Sequence, residues 1–341
     1  MKPLRSAVVG CGRIGCGFDD DPSTKIIRTH AGSYYNNQNT KLVALCDIDE
    51  IKLKKYGKKY QVSGLYTNSS EMFNKEQIDC VSICTLVESH LDLVKEAAKY
   101  DVKGIFLEKP ISNSISNAKK IIEICKTHNI SLIIDHQRRF IPAYHSVKKF
   151  IRTGKLGNIE LVNVYYGSGI ANTGSHLFDM LRLLFDEVTS LKANFSKNKS
   201  LNPNDPNVDA IIQFVNNTFC KINALDYRNY GVLEMDIFGT LGRIRLDLSA
   251  NDIEYFNISS DSLVYKHLVK SILKTKKSSK SPIQLGLINL LHSIKTQKEP
   301  LSTGYDGYKS LELIIASLIS SKHNKEITLP ILKNNYKITS T

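Results

Sequence analysis

A glycine-rich hexapeptide near the start of the chain has the residues and spacing of a dinucleotide-binding loop. Gly10, Gly12 and Gly15 stand in the sequence GCGRIG, directly after the apolar run SAVV. In such a loop the first glycine allows a tight turn, the second lets a pyrophosphate approach the backbone, and the third lets a helix pack against the strand. Free backbone N–H groups there, with Arg13 and Ile14 in the loop, would face the anion. The motif predicts that these five residues bind a dinucleotide, although a glycine turn in another α/β sheet also fits.

Asp47 is the acidic residue that such a loop requires. It ends the second strand-like run, KLVALCD, where a carboxylate accepts hydrogen bonds from the ribose hydroxyls of NAD and repels the extra phosphate of NADP. Asp47 lies 32 residues after Gly15, against about 20 in the usual spacing. The excess is accounted for if residues 16–27, CGFDDDPSTKII, are an insertion before a helix that resumes near His30. The pattern favours NAD over NADP and predicts that acidic residues 19–21 point away from the pyrophosphate.

The elements that must position these residues alternate through the first 135 residues. Besides the two runs above, IDCVSICT, KGIFLEKP and ISLIIDH are typical of buried strands. Helical patterns separate them. One is SHLDLVKEAAKY, in which Leu91, Val94 and Ala98 share a face and which Ser89 is expected to cap. Strands alternating with helices of this length predict a parallel sheet that is covered on both faces.

After about residue 136 the pattern changes. Two helices, AYHSVKKFIRTGKLG and HLFDMLRLLF, accompany a series of strand-like runs: IELVNVYYG, VTSLKANF, VDAIIQFVN, TFCKINALDY, VLEMDIFGT and GRIRLDLS. Two further helices are predicted near residues 283–297 and 305–322. These patterns predict an antiparallel sheet with one solvated or interface face. A length of 341 residues also favours two domains, which we place at residues 1–136, binding the dinucleotide, and 137–341, binding substrate and mediating oligomerisation.

The net charge of +13 invites a nucleic-acid interpretation, because basic patches bind phosphates. The excess, however, is mainly lysine, with 36 Lys against 10 Arg, whereas specific phosphate recognition usually relies on arginine. Six of the lysines lie in residues 266–280, KHLVKSILKTKKSSK, with no acidic residue among them. We interpret this segment as a solvated basic loop and expect no nucleic-acid partner. The remaining charge would attract an anionic substrate.

The seven cysteines show neither a CxxC motif nor the paired Cys/His spacing of a zinc site, so no metal is expected. Five of them lie in or beside apolar runs, which is typical of reduced core thiols in the cytoplasm. No apolar run approaches the roughly 18–20 residues of a membrane span. The first residues, MKPLRSAVVGCG, fit a first strand better than a signal peptide. We therefore expect a soluble cytoplasmic protein without a membrane partner.

Six segments in order along most of the chain resemble the Gfo/Idh/MocA family of NAD(P)-dependent oxidoreductases: GCGRIG, CDID, LEKP, HQRRF, GSHLFDMLR and FGTLGRIRL. The resemblance implies an α/β protein with an N-terminal Rossmann domain, which is a doubly wound parallel sheet, and a C-terminal α/β domain. The open, mainly antiparallel sheet of the second domain often mediates oligomerisation in that family, so a homodimer or homotetramer is expected. The resemblance also implies hydride transfer at a hydroxyl or ketone of a sugar or cyclitol.

Lys109 and His176 match the catalytic lysine and histidine of that family. The Lys109 ammonium would donate a hydrogen bond to the reacting oxygen and stabilise developing negative charge. An imidazole, which titrates near neutral pH, would let His176 accept the hydroxyl proton. From the residues alone, a surface lysine after a strand and a histidine satisfied by local hydrogen bonds remain open alternatives.

The chain departs from the family pattern at Asn172. Many members carry an aspartate four residues before the histidine, whereas an amide cannot stabilise an imidazolium by charge. Either His176 acts without a carboxylate partner or another group does the proton work. Asp179, three residues after His176, would orient it or bind substrate, and a plain salt bridge with Arg182 is the alternative. We assign Asn172 and Asp179 to the substrate site.

Further positions follow from the same resemblance. Thr85 and His90 match family positions near the cofactor, and Glu108 and Lys109 are expected to contact it as well. Arg139, in the HQRRF segment, is expected to hold an anionic group of the substrate through its planar guanidinium. An ion pair between the domains is the alternative for this arginine.

These expectations add up to an NAD-dependent sugar dehydrogenase. The favoured substrate is a nucleotide-linked or acidic sugar used in surface-polysaccharide biosynthesis. One alternative is a catabolic dehydrogenase of a free sugar or inositol. A second is a non-catalytic NAD-binding sensor or scaffold, in which Asn172 reflects lost chemistry.

Overall fold

The computed structural model describes residues 2–23, 25–259, 265–331 and 335–339. The chain forms two compact units, Met1–Phe140 with Ser278–Tyr308, and Ile141–Lys277 with Lys309–Thr339. Residues 278–308, which the sequence alone groups with the second domain, lie in the first unit. They do so because the apolar face of helix α8 (Pro282–Thr296) packs against the sheet of that unit.

The described part of the first unit contains a six-stranded parallel sheet of order β3-β2-β1-β4-β5-β6. This is the strand order of a Rossmann domain, so the predicted doubly wound sheet is confirmed. The short strand β3 is an addition to the five strands that the sequence indicates. The strands are β1 (Leu4–Val9), β2 (Thr40–Cys46), β3 (Gly64–Tyr66), β4 (Cys80–Ile83), β5 (Gly104–Leu107) and β6 (Ser131–Ile134).

Short helices with polar caps connect these strands. Asp49, Asn68 and Ser114 each accept a backbone N–H at a helix start, which satisfies donors that the first turn leaves unpaired. Ser89 does not cap its helix as expected, because its hydroxyl bonds instead to Thr85 Oγ1 and the Leu86 carbonyl. The helices are α1 (His30–Tyr35), α2 (Glu50–Tyr60), α3 (Ser69–Lys75), α4 (His90–Ala97) and α5 (Ile115–Thr127).

The second unit contains a sheet of nine described strands, in the order β14-β13-β12-β11-β7-β10-β9-β8-β15. All neighbours pair antiparallel except β7 and β10, which are parallel, so the predicted mainly antiparallel sheet is confirmed. The strands are β7 (Ile159–Tyr166), β8 (Val188–Phe195), β9 (Val208–Phe214), β10 (Phe219–Ala224), β11 (Leu233–Gly239), β12 (Gly242–Asp247), β13 (Asp252–Ile258), β14 (Leu268–Ser271) and β15 (Ile327–Thr328).

Two helices belong wholly to this unit, α6 (Pro142–Arg152) and α7 (Gly174–Phe185), and α9 (Gly304–His323) runs into it. Alternate residues of β11 and β12 are buried, including Met235, Ile237, Ile244 and Leu246. The pattern is that of a sheet with one face against a core. None of the helices among the described residues combines the length and apolar character that a membrane crossing requires.

The lysine-rich stretch is not entirely the solvated loop that its composition suggests. Residues 268–271 form the edge strand β14, which pairs with β13, and Lys270 bonds Glu254 at 2.6 Å. The acidic partner is missing from the segment but is supplied by the neighbouring strand. A lysine on an edge strand, such as Lys270, is a common protection against unwanted strand pairing.

Candidate active site

The glycine loop joins β1 to the first turn of a helix and has the geometry that its sequence predicts. Gly10 has a φ of 96°, and a Cβ there would lie 2.6 Å from the Cys84 carbonyl oxygen. A Cβ on Gly15 would lie 1.9 Å from the Gly10 oxygen. A Cβ on Gly12 would meet no atom of the described chain within 4 Å. Two glycines are thus required by packing, whereas Gly12 opens onto free space, as a pyrophosphate site needs.

The glycine loop is followed by the predicted insertion, after which helix α1 continues the turn that begins at the end of the loop. The His30 N–H donates to the Ile14 carbonyl, and the Ala31 N–H to the Gly15 carbonyl. His30 therefore occupies the position four residues after Ile14, so the chain carries twelve extra residues here. Subtracting them reduces the separation of Gly15 and Asp47 from 32 to 20 residues, in agreement with the usual spacing.

The acidic residues of the insertion are held by partners of their own. Asp19 accepts the Arg28 N–H and the Thr29 hydroxyl. Although burial opposes it, hydrogen bonds from Lys55, Lys59 and Tyr56 lower the pKa of Asp20 to about 2. Hydrogen bonds from Ser23 and Arg28 lower the pKa of Asp21 to about 2. Each carboxylate is thus engaged within the insertion or with helix α2.

Asp47 lies beside the glycine loop at the carboxyl end of β2. Its Oδ2 accepts the Cys11 N–H at 2.6 Å, and its Oδ1 accepts the Asp49 N–H at 2.9 Å. The carboxylate is half-buried, which leaves it partly open to a ligand. N–H groups of Gly12, Arg13 and Ile14 donate to no backbone carbonyl in the part of the chain that the structure describes. An open Gly12, free loop donors and an acid on β2 together fit a dinucleotide with unmodified ribose.

Thr85 lies against the same loop, and His90 contacts Thr85. The backbone N of Thr85 is within 3.0 Å of the Cβ position at Gly10. His90 is buried, and its ring nitrogens lie 3.2 Å from the carbonyl oxygens of Ile111 and Thr85. Burial lowers its pKa below the ordinary histidine value, against the hydrogen bonds to these carbonyls. The side chain braces two loops, and its predicted contact with the cofactor stays a prediction.

Glu108 and Lys109 follow the carboxyl end of β5. Lys109 is half-buried and precedes Pro110 through a cis peptide. Its backbone N–H donates to Glu108 Oε2 at 3.2 Å. The Glu108 carboxylate is therefore turned toward the protein interior. The carboxyl ends of β1, β2, β4 and β5 share one edge of the sheet, so the structure brings the glycine loop, Asp47, Thr85 and Lys109 to that edge.

A buried ionisable cluster that the sequence analysis missed lies at this edge. His30 Nε2 is 3.1 Å from Glu108 Oε1 and 3.6 Å from Asp135 Oδ2. Its Nδ1 is 2.8 Å from Ser82 Oγ, whose hydroxyl donates to Tyr34. Both ring nitrogens therefore act as donors, and although the three ligand-type atoms lie within 4.8 Å of one another, no ring lone pair remains for a metal.

The pKa values in this cluster reflect shared protons. Burial opposes charge on His30, but its interactions with Cys84, Asp135 and Glu108 raise its pKa well above the ordinary value. Burial and the neighbouring Asp135 raise the pKa of Glu108 to about 7. Burial opposes ionisation of Asp135, yet hydrogen bonds from His30 and Gln137 lower its pKa. The signal in the sequence was an acid directly after each of two apolar strands, at Glu108 and Asp135.

In the second unit the residues assigned to the substrate site lie on α7 and the π-helical turn before it, Gly169–Thr173. His176 is half-buried in the first turn of α7. Asn172 Nδ2 donates to Ser168 Oγ at 3.3 Å, and the Asn172 carbonyl accepts the Ser175 hydroxyl at 2.7 Å. The structure thus links Asn172 to the turn that carries His176.

Asp205, another residue that the sequence analysis missed, holds this turn. It is 3% exposed, and it accepts the N–H groups of Ala171 and Asn172, both at 2.8 Å. A Cβ on Gly169, which has a φ of 89°, would lie 2.0 Å from Asp205 Oδ2. The glycine is therefore required by the approach of the carboxylate. The turn-rich segment SLNPNDPNVD gave no periodic signal for this contact.

Asp179 and Arg139 occupy more closed positions. Asp179 is buried in α7, and Arg182 on the same helix pairs with Glu187. Arg139 is buried and its Nη1 lies 3.2 Å from Asp306 Oδ1, a residue of the same unit. The substrate roles of Asp179 and Arg139 stay predictions.

Comparison with known proteins agrees with this geometry. Residues 4–136 match the Gfo/Idh/MocA sequence model described as an oxidoreductase family with an NAD-binding Rossmann fold. Residues 166–329 match the C-terminal alpha/beta domain of the same family. The two matches together span most of the chain.

Individual relatives are distant but match over nearly the full length. A D-apiose dehydrogenase of Paraburkholderia graminis is 24% identical, covering 98% of this chain and 92% of its own. A myo-inositol 2-dehydrogenase of Thermotoga maritima is 23% identical, covering 91% and 96%. The crystal structure of the WlbA dehydrogenase from Bordetella pertussis, with NADH and UDP-GlcNAcA, superposes with a TM-score of 0.77 at 21% identity, covering 97% and 100%.

Proposed function

The chain belongs to the Gfo/Idh/MocA oxidoreductase family, and on that premise we propose that it is an NAD-dependent dehydrogenase of a sugar hydroxyl. The observation that carries the proposal is the shared edge of the parallel sheet, where the glycine loop, Asp47 and Lys109 lie together. Ligands of open α/β sheets bind at this edge. The residues there fit NAD, since Asp47 offers a carboxylate where NADP would bring a phosphate.

Lys109 is proposed to donate a hydrogen bond to the reacting oxygen of the sugar. When bound, the nicotinamide would supply the hydride acceptor or donor. An ammonium at the reacting oxygen stabilises the negative charge that develops when the hydroxyl proton leaves. The backbone of Lys109 is fixed by its hydrogen bond to Glu108, which favours a defined direction for its side chain.

His176 is proposed to accept the hydroxyl proton. Its position in the first turn of α7 is fixed by the preceding turn, which Asp205 holds through two N–H groups. The Asn172 side chain offers an amide for a sugar hydroxyl or for His176. An amide carries no charge, and the Asp205 carboxylate supports this region through the backbone.

For the substrate we propose a nucleotide-linked or acidic sugar of surface-polysaccharide biosynthesis. The net charge of +13 and the ligand of the WlbA structure support this class. A free sugar or inositol is the second candidate, supported by the apiose and inositol dehydrogenases among the relatives. Arg139 already has Asp306 as a partner, so an anionic substrate would have to compete for it.

The test is NADH formation by the purified protein with UDP-GlcNAcA, D-apiose and myo-inositol, with NADP compared throughout. Turnover of the nucleotide sugar alone supports the first substrate class, and turnover of apiose or inositol alone supports the second. NAD binding without turnover of any sugar in a broad panel contradicts the proposed activity and favours a sensor or scaffold. Lys109→Ala serves as the inactive control.

We also propose a homodimer or homotetramer that works in the reducing cytoplasm. Apolar residues remain half exposed on the second sheet, among them Ile211 at 51% and Phe219 at 48%. The cysteines are free thiols, most of them buried. Light scattering after size exclusion measures the mass, and a monomer at micromolar concentration contradicts the oligomer. Cell fractionation tests the compartment.

A further inference from the structure

The buried cluster of His30, Glu108 and Asp135 joins three separate elements of the first unit. His30 begins α1, Glu108 follows β5 and Asp135 follows β6. The three residues are 1%, 7% and 0% exposed. Ionisable groups buried to this degree are rare unless they are paired, and they are costly to keep. Because Glu108 is adjacent to Lys109 in the chain, a role of the cluster in function would explain why these costly groups are kept.

The contacts of His30 fix both its ring and its charge. Ser82 Oγ donates its proton to the Tyr34 hydroxyl, so it accepts a hydrogen bond from His30 Nδ1. His30 Nε2 donates to Glu108 and faces Asp135. An imidazole with two donating nitrogens is an imidazolium. The edge contact with Phe106, with ring centroids 4.5 Å apart, leaves the ring in one orientation.

The charges in the cluster leave one carboxylate to be neutralised. One imidazolium and two carboxylates sum to a single negative charge, which burial disfavours. A proton shared by Glu108 and Asp135 removes it, in agreement with the pKa of about 7 for Glu108. The other titratable groups facing His30 are Cys84 and Tyr34, both neutral because burial raises their pKa values.

Glu108 connects this cluster to Lys109. Its Oε1 accepts from His30, and its Oε2 accepts the backbone N–H of Lys109. We infer that His30 and Asp135 are positioning residues, which hold the Glu108 carboxylate against the Lys109 backbone and so fix the turn that presents the lysine to substrate. This inference rests on the proposed function through the role of Lys109.

The charge of His30 is tested without any substrate. In protein labelled with ¹⁵N-histidine, we expect His30 to keep the signals of an imidazolium between about pH 6 and 8. Glu108→Gln should make His30 titrate at lower pH. A neutral His30 across this range, or a stoichiometric metal in the purified protein, overturns the inference.

The positioning role is tested by turnover with the best sugar of the panel. His30→Gln should lower kcat about 100-fold, the effect of a misplaced catalytic group, with the KM for sugar and the affinity for NADH within about threefold of wild type. His128→Gln is the matched control and should behave as wild type. Unchanged kcat in a folded His30→Gln overturns the inference.

Asp135→Asn is a second variant that tests the positioning role if His30→Gln does not fold. Because the pKa of Glu108 is about 7, we expect its ionisation to produce a limb near that pH in the pH dependence of kcat. Removing the Asp135 charge lowers this pKa, so the limb should move to lower pH. A purely structural residue would not move that limb, and an unmoved limb contradicts the inference. If Lys109→Ala retains turnover, the proposed function fails, while the state of His30 in the labelled protein is still measured.

Discussion

Replacing Gly12 by alanine separates the fold from cofactor binding. A Cβ at this position meets no atom of the described chain within 4 Å, and the residue is not in the left-handed region. We therefore expect Gly12→Ala to change the free energy of unfolding by less than about 0.5 kcal/mol. The methyl group would, however, occupy the space that the pyrophosphate needs next to the loop backbone.

The size of the binding defect follows from the hydrogen bonds at stake. A hydrogen bond to a charged group contributes about 1.5–3 kcal/mol. Loss of one bond between a loop N–H and the pyrophosphate corresponds to roughly 10- to 150-fold weaker binding. Titration of NADH fluorescence measures the affinity, and urea unfolding measures the stability.

Gly15→Ala is the matched control, because its Cβ would lie 1.9 Å from the Gly10 oxygen. It should destabilise the first unit by about 1–3 kcal/mol or more through overpacking. Gly12→Ala with wild-type affinity for NADH would refute the placement of the dinucleotide at this loop. Equal destabilisation by both substitutions would refute the reading of Gly12 as a position open to ligand.

Four further outcomes are expected. Lys109→Ala and His176→Ala should each lower kcat about 10²–10⁴-fold while NADH titration shows unchanged affinity, and near-normal turnover would exclude that residue from catalysis. Asp47→Ser should shift the kcat/KM preference from NAD toward NADP, since the carboxylate that repels the extra phosphate is gone. The pKa of Glu108 is raised from 4.5 to about 7 in the folded protein, so the folded chain holds this proton more tightly than the unfolded chain does. The resulting contribution to the free energy of unfolding is fully present below pH 4.5 and is lost as the pH rises to about 7. Glu108→Gln should therefore make the free energy of unfolding, measured in urea, fall less over this pH range. Asp205→Ala should cost about 2–4 kcal/mol in urea unfolding, because two buried N–H groups lose their acceptor.

The parts of the site that could be predicted from the sequence are those set by local rules. The roles of Gly10 and Gly15 follow from backbone geometry, and Asp47 follows from its place at the end of an apolar strand. The insertion was predictable from the spacing alone, because Asp47 follows Gly15 by more residues than the usual separation of about 20 between the glycine loop and the acid. The hydrogen bonds from His30 and Ala31 across the insertion confirm it.

The parts that could not be predicted depend on pairing between distant segments. Strand β14 lies in a lysine-rich stretch whose composition favours a loop, and only its pairing with β13 makes it a strand. The parallel pair β7 and β10 is likewise a property of the sheet, since periodicity gives no strand direction. The sequence of helix α8 does not indicate which of the two sheets the helix packs against. His30 and Asp135 are 105 residues apart in the chain, and only the packing of α1 on the sheet brings them together.

Asn172 stands where many members of the family carry an aspartate, and the structure shows which carboxylate lies near this turn instead. A carboxylate is present near this turn, but both of its oxygens accept backbone N–H groups, at Ala171 and Asn172. Those bonds spread the Asp205 charge over the turn and fix its shape. Asp205 therefore supports the geometry of the turn that precedes His176. Asn172, whose side-chain amide donates to Ser168 Oγ, belongs to the same turn and offers His176 no charge.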